Sequence, residues 1–199
     1  CSPCFAPLEN ARRSPAGPAR FHGDNTIFDH TCDVMDMIAT MPYTQTLPQE
    51  ERALAAWMGL CHDLGKTETD PAILPRHIGH EARGHNLVGA FAAKLCLPRL
   101  WEQAGHLAIA LHMKAGRYAD LRPGTNVDLL ATLAKSRLTA PFCALIMADA
   151  NDMTLAGQIQ RDMVLFLSVK LPEEWHNKGR RSAEKHRELR IKALKSHLL

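Results

Sequence analysis

From about residue 21 onward the apolar residues of this chain recur at three- and four-residue intervals and nowhere alternate over a useful length, a pattern that buries itself only as helix. Ile27, Val34, Met37, Ile38 and Met41 form one stripe. Leu54, Trp57, Met58 and Cys61 form a second, opened by Pro48 and the acidic pair Glu50-Glu51. Leu87, Val88, Phe91, Ala92 and Leu95 mark a third, and Pro98 opens a fourth through Trp101, Gly105, Ala108 and His112. Val127, Leu130, Ala131, Ala134 and Leu138 make a fifth, and Phe142, Leu145 and Ile146 the last clear one. The expected fold class is all-α, a helical bundle, and 199 residues with 46% hydrophobic content suffice for one sizeable core.

Residues 1–20 hold four prolines and no apolar period, and begin with Cys rather than Met. They are expected to be an irregular linker or the remnant of a preceding region, followed by one domain over 21–170 and a basic helical extension over 171–199. The stretch from Thr67 to Gly79, with Pro71 and Pro75, reads as a loop. No apolar run reaches the length of a membrane span and no charged-then-apolar leader opens the chain, so a soluble, cytoplasmic protein is expected. Cys32, Cys61, Cys96 and Cys143 fall in apolar helical stretches and read as small core residues. Cys1-Ser2-Pro3-Cys4 looks like half a zinc knuckle but lacks a second half, which points to an unstructured end.

Against this apolar periodicity a few polar residues sit where core is expected. His30 lies on the first stripe and Asp149 continues the line of Phe142, Leu145 and Ile146. An ionised carboxylate there costs several kcal/mol unless something positive meets it. The second stripe ends in Gly59-Leu60-Cys61-His62-Asp63-Leu64-Gly65-Lys66. Adjacent helical residues point apart, so His62 and Asp63 converge only where the helix stops, and Gly65 is expected to supply that stop. Each residue alone has an ordinary explanation as a capped or hydrogen-bonded side chain. Together they offer two imidazoles and two carboxylates, a donor set suited to Mn, Fe, Co, Ni or Zn. His77, His80, His85 and His112 stand nearby in sequence.

The order His30, His62-Asp63, Asp149 on an all-helical chain resembles the HD superfamily of metal-dependent phosphohydrolases. Residues 18–33, with Pro-Ala-Arg-Phe-His followed by Asp29-His30-Thr31, together with residues 60–66 and Leu74-Pro75-Arg76-His77-Ile78-Gly79-His80, narrow the likeness. They are similar to the C-terminal HD domain of bacterial CCA-adding tRNA nucleotidyltransferases of the multifunctional type, and the similarity continues through His112 and Ala148-Asp149 to Lys178-Gly179. Glu81-Ala82-Arg83 departs from the small or neutral run expected after His80. No nucleotidyltransferase domain precedes these residues, so the chain is expected to be a fragment of the larger enzyme or a stand-alone relative.

The resemblance implies hydrolysis of phosphomonoesters and 2′,3′-cyclic phosphates of nucleotides or tRNA 3′ ends. It implies a divalent metal ion (Ni, Mn, Mg or Co) held by His30, His62, Asp63 and Asp149, with positions left for water and a phosphoryl oxygen. Asp63 would ligate and also orient the nucleophile. Lys66 and Arg76 are expected to meet phosphate, and Lys66, His80 and His112 to assist catalysis, the two histidines through a second metal or direct phosphate contact. His77 and His85 are read as structural.

Residues 170–199 carry nine basic and four acidic side chains, a surplus of five, against −2 for the rest of the chain. Such asymmetry suits a polyanion, and with the resemblance it suits tRNA. Two further readings therefore stand beside the enzyme: a non-catalytic tRNA-docking tail that works through its basic helix, and a stand-alone nucleotidase for free deoxynucleotides.

Overall fold

The computed structural model describes residues 6–19 and 23–197, and among them lie ten α-helices and no strand. They are α1 (Ala6–Ala11), α2 (Ile27–Thr40), α3 (Pro42–Gln45), α4 (Gln49–Cys61), α5 (His80–Lys94), α6 (Arg99–Ala115), α7 (Pro123–Ser136), α8 (Thr139–Ala150), α9 (Thr154–Ser168) and α10 (Arg180–His197). The all-α expectation holds. The quoted Arg20-Phe21-His22 and the Cys1-to-Cys4 pair lie outside the described residues.

The centre of the bundle is α8, whose residues from Pro141 to Ala148 are all buried. A helix apolar on every side packs only if neighbours surround it, and α2, α4, α6, α7 and α9 do so. Trp57 fixes α4 against α6 by donating its indole N–H to the Trp101 carbonyl at 2.6 Å. Thr26 and Asp29 form a reciprocal capping box that starts α2 immediately before His30.

Three expectations need correction. The stretch read as an irregular linker contains α1, with Pro7, Ala11 and Ala16 buried. A single antiparallel bridge joins Pro15 to Thr26, so this segment is laid along the bundle. The apolar stripes do not end at Asp149, because Leu155, Ile159, Met163 and Phe166 bury one face of α9. The stretch from Thr67 to Gly79 is a connection, as expected, entered from one 3₁₀ turn, Leu64–Glu68, and carrying another, Pro71–Ile73. Cys61 and Cys143 are core residues, but Cys96 is exposed at a positive φ of 51° just after α5, and Leu95 beside it is exposed too.

The basic helix α10 packs against α7 and α9 through buried Leu194 and partly buried Ile191. Two of its basic side chains are engaged there. Arg187 makes a two-pronged bond to Asp128 at 2.7 and 2.8 Å, and Arg190 stacks 3.7 Å over the Phe166 ring.

Candidate metal centre

His62 is the last residue with helical backbone angles at the end of α4, and Asp63 leaves the helix at φ −110°, ψ 7°. The break is therefore at Asp63 itself. Gly65 serves a different purpose from the stop expected of it: a side chain there would collide with the His80 carbonyl oxygen and the Gly84 amide nitrogen, so its absence lets α5 lie directly on this turn. Three backbone carbonyls set the aim of the histidine donors. The Nδ1 of His62 meets the Gly59 carbonyl at 2.7 Å, that of His80 meets the His77 carbonyl at 2.9 Å, and that of His112 meets the Ala108 carbonyl at 3.0 Å. A carbonyl oxygen only accepts, so each Nδ1 carries a proton and each Nε2 faces the centre.

Around the first half of that centre, His30 Nε2 lies 3.2 Å from Asp149 Oδ1 and 3.3 Å from His62 Nε2. His62 Nε2 is 3.3 Å from Asp63 Oδ2 and 3.5 Å from Asp149 Oδ1. Donor atoms that share one cation at about 2.1 Å stand roughly 3.0–3.4 Å from one another, so this spacing fits an ion shared among them. Asp149 also sits in the last turn of α8, where the helix dipole is negative and a carboxylate needs a cation to offset it.

The second half faces the other carboxylate oxygen. Asp63 Oδ1 is 3.4 Å from His112 Nε2 and 3.7 Å from His80 Nε2. All three atoms are buried and make no hydrogen bond. A buried polar atom without a partner costs about 1–3 kcal/mol, and three converging lone pairs fit a cation brought in from outside. His30, His62 and Asp149 thus form one triad and Asp63, His80 and His112 another, with Asp63 between them.

Charge follows the same plan. Burial opposes a charge on His62, yet Asp63 and Asp149 outweigh it and push the imidazole up to about 10. Burial opposes the charge on Asp63 as well, but His62 and Lys66 hold its carboxyl well below the usual range. Asp149 is likewise held down by His62 and His30 against the effect of burial. Burial lowers His80, which favours the uncharged ring that a cation requires.

Lys66, expected to meet phosphate, is buried and held by its neighbours. Its ammonium lies 2.7 Å from Asp63 Oδ2 and donates to the Ala16 carbonyl at 2.9 Å. Arg76 is exposed at the mouth of the cavity over the centre, where Lys66 also contributes to the wall. His77 points away from the centre: its Nε2 donates to the Pro15 carbonyl at 2.8 Å, and its Nδ1 accepts from Thr69. His85 stacks on His106 at 3.6 Å and belongs to neither triad.

Sequence reasoning missed the wall formed by Ala16, Gly17 and Pro18, because a Pro-rich segment without periodicity carries no mark of what it covers. The departure at Glu81-Ala82-Arg83 also has a structural consequence. Arg83 reaches back to the carbonyls of Gly65 and Ile78 and to the Thr69 hydroxyl, at 3.2, 3.0 and 3.0 Å, and so ties α5 to both turns that frame the site.

A family model described as HD domain matches residues 27–159, a span that includes both triads. Among curated proteins, the Multifunctional CCA protein of Nitrosomonas eutropha is 36% identical over 135 residues, which are 68% of this chain and 31% of that protein. The Multifunctional CCA protein of Pseudomonas aeruginosa is 37% identical over 109 residues, 53% of this chain and 26% of that protein. The match therefore spans less than a third of the length of these relatives. No solved structure gave a significant match.

Proposed function

The chain belongs to the HD-domain family, and from that premise we propose that it is a divalent-metal-dependent phosphohydrolase, the HD part of a CCA-adding-like protein. Its substrates on this reading are phosphomonoesters and 2′,3′-cyclic phosphates of nucleotides or tRNA 3′ ends, and a nucleotidyltransferase domain is the expected companion in the full-length protein. The observation that carries the reading is the buried carboxylate of Asp63 set between two imidazole groups, with Oδ1 and two Nε2 atoms left without protein partners.

Bound divalent ions would neutralise charge developing on a phosphoryl oxygen and make a water more acidic. His30, His62, Asp63 and Asp149 are the residues to hold the first ion. Asp63, His80 and His112 would hold a second, or His80 and His112, once protonated on Nε2 as well, would donate to phosphoryl oxygens directly. Lys66 keeps Asp63 ionised and fixed, and Asp63 in turn orients the attacking water. Arg76, at the mouth, is placed to meet the phosphate oxygens that do not react.

The test is metal analysis of the purified chain joined to a hydrolysis screen over 2′,3′-cyclic nucleotides, 2′-nucleotides and deoxynucleotides. Metal-dependent turnover of the first two is expected, and Asp63→Ala should reduce it about a thousandfold with helix content unchanged. Turnover of deoxynucleotides alone would favour a stand-alone nucleotidase. No turnover with Mg, Mn, Co and Ni each supplied would leave a non-catalytic docking domain.

A further inference from the structure

The two triads lie at the floor of the cavity, and its rim adds apolar side chains beside Arg76. The cavity holds about 420 Å³, the size of a site for a small organic molecule rather than for phosphate alone. Its mouth is edged by Pro18, Pro75, Ile78 and Met113, and two of these are conspicuously wet: Ile78 is 69% and Met113 52% exposed. Isolated exposed apolar residues need no explanation, but two from different segments at one mouth do.

The position of Ile78 is built into the backbone. The Arg83 guanidinium holds the Ile78 carbonyl at 3.0 Å, and the next residue, Gly79, sits at φ 76°, a left-handed conformation that turns the chain into α5. Met113 follows His112 directly on α6, so an unbranched, adaptable side chain is carried to the mouth by the same helix that aims a donor at the floor.

Resting on the proposed function, we infer that Ile78 and Met113 form a nucleobase subsite, taking the faces of the base while the phosphate lies over Asp63. Bases are commonly held between apolar side chains, because both faces are weakly hydrated and the polar groups lie at the edge. The same lining carries the charged groups of Arg76 and Glu81. An acyl chain would desolvate them without return, whereas a base edge and a phosphate give each a hydrogen-bonding partner. The subsite thus selects nucleotides over phosphate esters that have no base.

The test compares cytidine 2′,3′-cyclic phosphate with glycerol 1,2-cyclic phosphate and hexyl phosphate in the parent chain and in the double variant Ile78→Asn, Met113→Gln. The parent is expected to prefer the cytidine ester. The variant should lose about tenfold in kcat/KM for it, mainly through KM, with less than a twofold change on the glycerol ester. Equal losses on both cyclic esters, or preference for hexyl phosphate, would overturn the subsite. A second measurement is independent of turnover: saturation-transfer NMR with cytidine 2′-monophosphate and metal-stripped protein. Saturation is expected to be strongest on the base protons and to vanish in the variant, and uniform or unchanged saturation would overturn it. If the parent hydrolyses nothing, the phosphohydrolase reading fails and the NMR result still decides the subsite.

Discussion

Lys66 and Asp63, three residues apart on a tight 3₁₀ turn, are joined Nζ to Oδ2 at 2.7 Å with both side chains buried. The same carboxylate oxygen faces His62 and His30, so a fixed ammonium lies on one side of it and the candidate cation site on the other. Lys66→Met removes one partner of a buried pair and should destabilise the metal-free protein by about 3 kcal/mol in urea unfolding. Added Mn should restore part of that loss, because a cation can replace the missing charge. A loss below about 1 kcal/mol would show that the ammonium is not what holds Asp63.

Two triads sharing Asp63 predict two ions per chain at saturating Mn or Ni, read by plasma mass spectrometry after dialysis. His112→Asn should reduce the count to one and leave the ion of the His30, His62 and Asp149 triad in place. One ion in the parent and one in the variant would show that the inward Nε2 atoms of His80 and His112 hold no ion.

The metal-free protein should have its stability maximum on the acidic side of neutrality. His62 is raised from 6.5 to about 10, so its contribution is complete below 6.5 and is lost as pH climbs towards 10. Asp63 and Asp149 are lowered from 3.8, so theirs is present above that value and is lost as pH falls below it. Thermal unfolding in EDTA should therefore fall by about 5 °C or more between pH 6.5 and 10. With Mn bound the cation replaces the proton on His62, and the decline should be much smaller. An equal decline with and without metal would rule out His62 as a ligand.

On α10, the exposed Arg181, Lys192 and Lys195 form no ion pair among the described residues, whereas Arg187 and Lys185 are engaged with Asp128 and Glu188. If this face meets tRNA, reversing those three charges should weaken binding and reduce the slope of log K against log salt by up to about three. Truncating the helix would be a poorer test because it uncovers the core at Leu194. Unaltered binding would leave the basic surplus as a solvated surface.

What the sequence determined by itself is local. Residues three and four apart share a helix face whatever surrounds them, so the stripes of α2, α4, α6 and α8 were readable, and so were His30 and Asp149 as polar residues on apolar faces. The segment around α1 carries no such period, whereas α9 carries one through Leu155, Ile159, Met163 and Phe166. Tertiary structure decided everything that depends on which atoms meet across the bundle. His30 and Asp149 touch across 119 positions of sequence, and His80 and His112 reach Asp63 only because a backbone carbonyl fixes each Nδ1 and turns each Nε2 inward. Lys66 became the partner of Asp63 because Ala16, on a strap without any periodic signal, closes the other side of its ammonium. Helical spacing fixes which face a side chain occupies, whereas the direction of a single donor atom is set by packing and hydrogen bonds between segments remote in sequence.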